Sequence, residues 1–222
     1  ACECSGARHC APTHRRAMSL TFYFAPNSTA STVHWTLEEL GIPYETVRVD
    51  LQNEADKKAK LGSVNPNLLV PAVVHEGVAI FESAAIQIYL GETFGVERGL
   101  YPAPGPARGE ALKWLVWCNV HLAEATSRWQ RNTRAQIPVE ERSAAAAAVA
   151  RKDIDKRLAI FEGALADRPY ALGSKPSIVD FHLGAAIGWM AFSGVAMEAF
   201  PHARAWLERL QSRPAFAKLR SA

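Results

Sequence analysis

Glu82 and Ser83 stand where a short β-branched run, Val78 to Phe81, gives way to Ala84-Ala85-Ile86-Gln87-Ile88-Tyr89-Leu90, a segment of good helix formers. A helix starting there presents unpaired N–H groups and the positive end of its dipole, which together can hold a ligand carboxylate. With a hydroxyl and an acidic side chain at the same spot, the pair outlines a peptide-carboxylate site. The plainer reading is structural, since a serine at that point also caps its own first helical turn. This window alone supports both.

The elements that must position the pair lie upstream. Ala72 to His75 and Val78 to Phe81 flank Glu76-Gly77, a two-residue connection whose glycine permits the positive φ of a tight hairpin, so they read as paired antiparallel strands. Val70-Pro71 precedes the first of them. The proline removes one backbone donor and presets its own φ, and the sequence does not decide whether its peptide bond is cis. Leu20 to Phe24 alternates into a strand, Ser31 to Leu40 is a helix closed by Gly41, and Tyr44 to Val49 is a second strand after the Ile42-Pro43 break. Residues 54 to 61 carry a charged helix. The order β-α-β-α-β-β-α predicts an α/β domain over residues 18–94, a small mixed sheet with helices on its faces. Residues 95–106 hold three prolines and three glycines and read as a linker. Over 107–222 only helical patterns follow, at about 107–134, 139–166, 178–193, 202–212 and a short tail after Pro214, so the second domain is all-α.

Composition narrows the function. The 222 residues are 49% hydrophobic, enough to bury a substantial core. No apolar run approaches the roughly 20 residues needed to span a bilayer, so we expect no membrane partner. The net charge of +3 is concentrated in residues 1–17, where Arg8, Arg15 and Arg16 face only Glu3; the remainder gives no support for a nucleic-acid partner. Those 17 residues also hold Cys2, Cys4, Cys10, His9 and His14 without helical or strand period. Their C-x-C and C-x5-C spacing is not that of a zinc site, and the segment lacks the apolar core of a secretory signal. It reads as a disordered extension with the folded protein starting near Met18, and no metal is expected. Cys118, inside a helical pattern, reads as a buried thiol. Without a disulfide framework the chain fits a reducing cytoplasm.

With these residues in place the chain resembles a cytosolic glutathione transferase, a thioredoxin-like domain followed by a helical bundle, over roughly residues 20 to 220. The resemblance implies a cis proline at Pro71, with the backbone of Val70 pairing with the cysteinyl part of glutathione. It places the γ-glutamyl end on Glu82 and Ser83. Ser177-Ile178-Val179-Asp180 is similar to the family's S/T-x-x-D helix start, a capping box in which the two side chains serve each other's backbone N–H groups. It further implies a homodimer that uses glutathione as co-substrate and no other cofactor.

Such chemistry needs a thiolate, whereas a free thiol titrates near about 8.5; a hydroxyl donor and a helix N-terminus can lower that value. In the family the donor lies in the turn after the first strand, here Ala25-Pro26-Asn27-Ser28-Thr29-Ala30-Ser31. The turn offers no tyrosine or cysteine, which points to a serine/threonine-like enzyme. Ser28 is the leading donor, followed by Thr29 and then Asn27 as an amide donor; the alternative is that they only shape the turn and cap the helix. Where many relatives carry a basic residue for the glycyl carboxylate, this chain has Leu69, so either Asn67 or Gln52, and after them His34, substitutes or the glycyl end is held loosely. Trp114, Trp117, His121 and Arg128 recur at near-helical spacing and are candidates for the pocket of a small hydrophobic electrophile, although such a stripe also makes domain core. The leading expectation is thiol conjugation to electrophiles. The alternatives are a glutathione-dependent disulfide or peroxide reductase and a non-catalytic binding protein on the same fold.

Overall fold

The computed structural model describes residues 20–219. The cysteine and histidine cluster of residues 1–17, with its expected disorder, lies outside them. The first domain follows the order read from the sequence: β1 (Leu20–Phe24), α1 (Ser31–Leu40), β2 (Glu45–Arg48), α2 (Glu54–Leu61), β3 (Ala72–His75), β4 (Val78–Phe81) and α3 (Ser83–Leu90). The sheet order is β2-β1-β3-β4, with β1 parallel to β2 and antiparallel to β3, so the sheet is mixed. Its β1 register follows from alternation: Leu20 and Phe22 point into the core while Thr21 and Tyr23 stay partly open. This is the thioredoxin-like arrangement, and its loops at one end carry the residues of interest.

The second domain contains α4 (Pro106–Trp117), α5 (Glu124–Thr133), α6 (Ala144–Ala164), α7 (Ile178–Phe192), α8 (Pro201–Gln211) and α9 (Pro214–Leu219). The pattern expected as one helix over 107–134 is continuous but not uniform. Cys118–Ala123 forms a π-helical segment between α4 and α5, where each N–H reaches one carbonyl further back. A second π turn, Gly91–Gly95, prolongs α3. There the linker folds back tightly: a Cβ on Gly91 would lie 2.6 Å from the Tyr101 ring, so only glycine admits the tyrosine. Buried Tyr101 and the bond from Ile178 N–H to the Leu100 carbonyl pin 95–106 to both domains.

The domains share one core. Trp35 on α1 is fully buried, stacked 5.9 Å from Phe181 on α7 and with its ring 4.8 Å from the tilted ring of Phe216 on α9. Arg213 grips Glu39 with two 2.6 Å bonds, and Lys218 meets Glu38 at 2.7 Å. Asp180 closes the capping box: Ser177 N–H and Oγ donate to its Oδ2 at 2.9 and 2.7 Å. Its Oδ1 accepts from Ala171 N–H and Trp206 Nε1. No helix among the described residues is long and apolar enough to cross a membrane.

Candidate active site

Between the loops of the first domain and the α4–α5 and α7 helices lies a cavity of about 540 Å³, within the range that holds small molecules. Three separate stretches of the first domain form one wall: the turn after β1 (Asn27, Ser28, Thr29), the loop before β3 (Asn65, Leu69, Val70, Pro71) and the start of α3 (Glu82, Ser83). Each is shaped by local bonding. Ser28 clasps its own turn, its hydroxyl donating to the Ala25 carbonyl at 2.6 Å while accepting from Ala30 N–H at 3.2 Å. The Thr29 hydroxyl instead reaches along the wall to the Val70 carbonyl at 3.1 Å. Asn27 is exposed at φ 54°, and its amide makes no side-chain hydrogen bond among the described residues.

The Val70-Pro71 peptide bond is cis. Buried Asn65 folds the loop in front of it, donating Nδ2 to the Leu69 carbonyl at 2.8 Å and accepting from Asn67 N–H at 3.0 Å. Glu82, the last residue before α3, has φ 71°, a conformation that costs a non-glycine residue about 1–3 kcal/mol and concentrates at functional sites.

Ser83 does not cap its helix. Among the described residues no side chain bonds to the first turn of α3, and the Ser83 hydroxyl accepts from Asn119 Nδ2 at 3.0 Å. The helix start is thereby left open to a ligand. Asn119 Oδ1 meets His182 Nε2 at 2.9 Å. Because the Asn119 amide nitrogen serves Ser83, its oxygen must accept, which puts the histidine proton on Nε2 and leaves the buried Nδ1 without a partner. Burial with no carboxylate beside it lowers the His182 pKa to about 4. The unfolded chain takes up this proton near about 6.5, so between those values the unfolded state binds more protons and stability falls as pH falls. Wild type should lose roughly 3 kcal/mol relative to His182→Gln between pH 7 and pH 4. Denaturant unfolding of the two proteins across that range reads it, and parallel curves would refute the assignment.

The opposite wall comes from the helical domain: Cys118, Asn119, Leu122, Ala123, Thr126, Ser127, Gln130 and Arg134, then His182, Ala185, Ala186 and Trp189. The first group recurs every four residues. In an α-helix four residues overshoot a full turn, whereas in a π turn they fall short of one, so passage through Cys118–Ala123 holds these positions on a single wall. Cys118 is the thiol on this wall, and burial pushes its pKa up to about 12. It should therefore resist aromatic disulfide reagents at pH 8 in the native protein. Titration before and after denaturation, wild type against Cys118→Ser, should show the difference only after unfolding.

The other residues singled out from the sequence fall elsewhere. Trp114 is buried against Phe161 and Trp117, with ring centroids 5.4 and 5.2 Å away, as domain core. His121 is exposed, and Arg128 joins Glu124 to Asp153 on α6. Trp114 and Trp117 precede the π segment and pack against the core, whereas passage through it leaves His121 and Arg128 off the cavity wall, which a uniform 3.6-residue period could not anticipate. His34 packs among Phe22, Phe24 and Tyr44 and is not on the cavity wall; nor are Gln52 and Asn67, whose neighbours Leu51 and Asn65 line it instead. Leu69, 59% exposed, stands at the rim. Cys118, Leu122, Thr126, Gln130 and Arg134 share no residue type that marks this wall in the sequence.

A thioredoxin-like domain with a cis proline, an acidic-serine helix start and a helical second domain closing a shared cleft defines the glutathione-transferase class of fold. Residues 18–92 match the glutathione S-transferase N-terminal domain and residues 115–214 its C-terminal domain, so the chain belongs to the glutathione S-transferase family. It is 30% identical to glutathione S-transferase GstB of Escherichia coli, over 90% of this chain and 97% of that protein. It is 26% identical to the disulfide-bond oxidoreductase YfcG of the same organism, over 88% of this chain and 92% of that one. Among solved structures, a sphingomonad glutathione S-transferase complexed with glutathione superposes with a TM-score of 0.77 at 28% identity, covering 90% of this chain and 96% of the other.

Proposed function

We propose that the protein binds glutathione along the first-domain wall, lowers the pKa of its thiol and transfers the thiolate to a small electrophile in the helical half of the cavity. The observation that carries this reading is the meeting of Asn27–Thr29, Val70-Pro71 and Glu82–Ser83 on one wall of one cavity. Glu82 takes the γ-glutamyl ammonium, and Ser83 with the uncapped start of α3 takes its carboxylate. The Val70 backbone pairs with the cysteinyl unit.

The hydrogen bonds favour Thr29 over Ser28 as the donor to sulfur. Ser28 would have to give up a 2.6 Å bond that holds its own turn. Thr29 gives its proton to the Val70 carbonyl, the group that the cysteinyl N–H of glutathione would claim. Binding then frees the Thr29 proton beside the sulfur. The thiol proton passes to solvent, the C–S bond forms and the leaving group departs, with no covalent enzyme intermediate. In this reading the enzyme is a cytoplasmic homodimer that consumes glutathione and needs no other cofactor.

Ultraviolet titration of bound glutathione tests it: the thiolate should appear about one to two pH units below the free thiol. Absence of glutathione binding would refute the proposal. Glutathione-dependent disulfide reduction is a second reading, favoured by the likeness to the disulfide-bond oxidoreductase. Because Cys118 is buried and its pKa is raised, both exchanging thiols would come from outside the described protein. Turnover of 2-hydroxyethyl disulfide without conjugation of any haloarene would select it, and binding with neither activity would select a non-catalytic role.

A further inference from the structure

The cavity wall carries two formally charged side chains, Glu82 at the glutathione end and Arg134 at the end of α5, and their placement divides it electrically. Arg134 makes no ion pair and no side-chain hydrogen bond among the described residues. Its guanidinium lies 5.6 Å over the Trp189 ring. A cation–π contact of this kind draws the guanidinium to the ring without using its N–H donors on an acceptor, so they remain available to a carboxylate.

The surroundings hold its backbone in position. Arg134 N–H is bonded to the Gln130 carbonyl, and the Arg134 carbonyl accepts from Ile137 N–H. Arg142 clamps the same loop through the Ala135 and Ile137 carbonyls. Beside it Trp189 continues to Phe192, 5.7 Å away and 81% exposed, and Leu122, Ala185 and Ala186 provide apolar wall. An exposed cation on a fixed backbone, without an ion pair among the described residues and next to an aromatic ledge, suits a flat anion.

We infer that the second substrate is an aromatic electrophile bearing a carboxylate, with its ring on the Trp189 ledge and its carboxylate on Arg134. This rests on the transferase reading for the reaction but not for the binding. In the reaction the glutathione thiolate attacks the ring carbon that carries chloride, the C–S bond forms and chloride leaves, while the carboxylate remains unchanged on Arg134.

Two measurements test it separately. Conjugation of 4-chloro-3,5-dinitrobenzoate and of neutral 1-chloro-2,4-dinitrobenzene is compared between wild type and Arg134→Gln. The ratio of kcat/KM for the anionic over the neutral substrate should fall about tenfold in the variant, as expected for losing a charge-assisted bond. An unchanged ratio overturns the inference even if both rates drop. Calorimetry on the glutathione-saturated protein then compares unreactive 4-nitrobenzoate with 4-nitrobenzamide. Arg134→Gln should weaken the benzoate about tenfold more than the amide, and Arg134→Lys should restore part of it. Equal weakening, or a second glutathione-binding phase lost in Arg134→Gln and competitive with the benzoate, would overturn the aromatic assignment. If wild type conjugates neither chloroarene yet binds the benzoate through Arg134, the transferase reading fails and the anion subsite survives.

Discussion

Thr29→Val should return the titration of bound glutathione toward the free thiol's value and lower kcat/KM for conjugation about a hundredfold, the usual cost of one donor aimed at developing charge. Valine keeps the β-branched shape and removes only the hydroxyl, so the turn after β1 should survive. The effect should fall mainly on kcat at neutral pH and shrink above about pH 9, where glutathione ionises unaided. Ser28→Ala should behave differently. Its hydroxyl holds the Ala25 carbonyl and the Ala30 N–H, so its loss should cost about 1 kcal/mol of stability and leave the bound thiol's titration near wild type. If Ser28→Ala moves the titration and Thr29→Val does not, the roles are reversed and the proposed release of Thr29 from the Val70 carbonyl is wrong.

Asp180→Ala is expected to destabilise the fold by about 3–5 kcal/mol, among the largest effects available to a single substitution here. The carboxylate is fully buried and accepts from Ala171 N–H, Ser177 N–H, Ser177 Oγ and Trp206 Nε1. Burial pushes its pKa up while the four donors act the other way. Removing it strands donors from the loop before α7, from the α7 start itself and from α8, each buried away from water. Asp180→Asn should cost less, because the shape persists and one oxygen still accepts. Urea unfolding monitored by circular dichroism reads both. A change within about 0.5 kcal/mol for the alanine variant would mean that the box is dispensable.

The elements of the first domain were legible because local chemistry agreed with the final packing. Gly77 permits the β3–β4 turn, and Asn53 caps α2 through the N–H groups of Ala55 and Asp56. Ser177 and Asp180 close their box as the sequence suggests. The start of α3 was legible in place but not in bonding. Ser83 reads as a self-cap, whereas the folded protein turns its hydroxyl to Asn119, a residue brought in by the other domain. The same limit applies to His182, an unremarkable histidine in an apolar helix until Asn119 gives it a partner.

The amino-acid sequence by itself determined the two-domain order, the family, and the turn, proline loop and helix start that face the cavity, since each is encoded over a few neighbouring residues. Only the tertiary structure decided the far wall. Trp114 and Trp117 pack within α4, and the π segment that follows leaves His121 and Arg128 off the wall and brings Asn119, Gln130 and Arg134 onto it. A helix's facing depends on the summed rotation of every turn before it. One changed hydrogen-bonding step therefore redirects a whole face, a shift that residue types and spacing do not reveal.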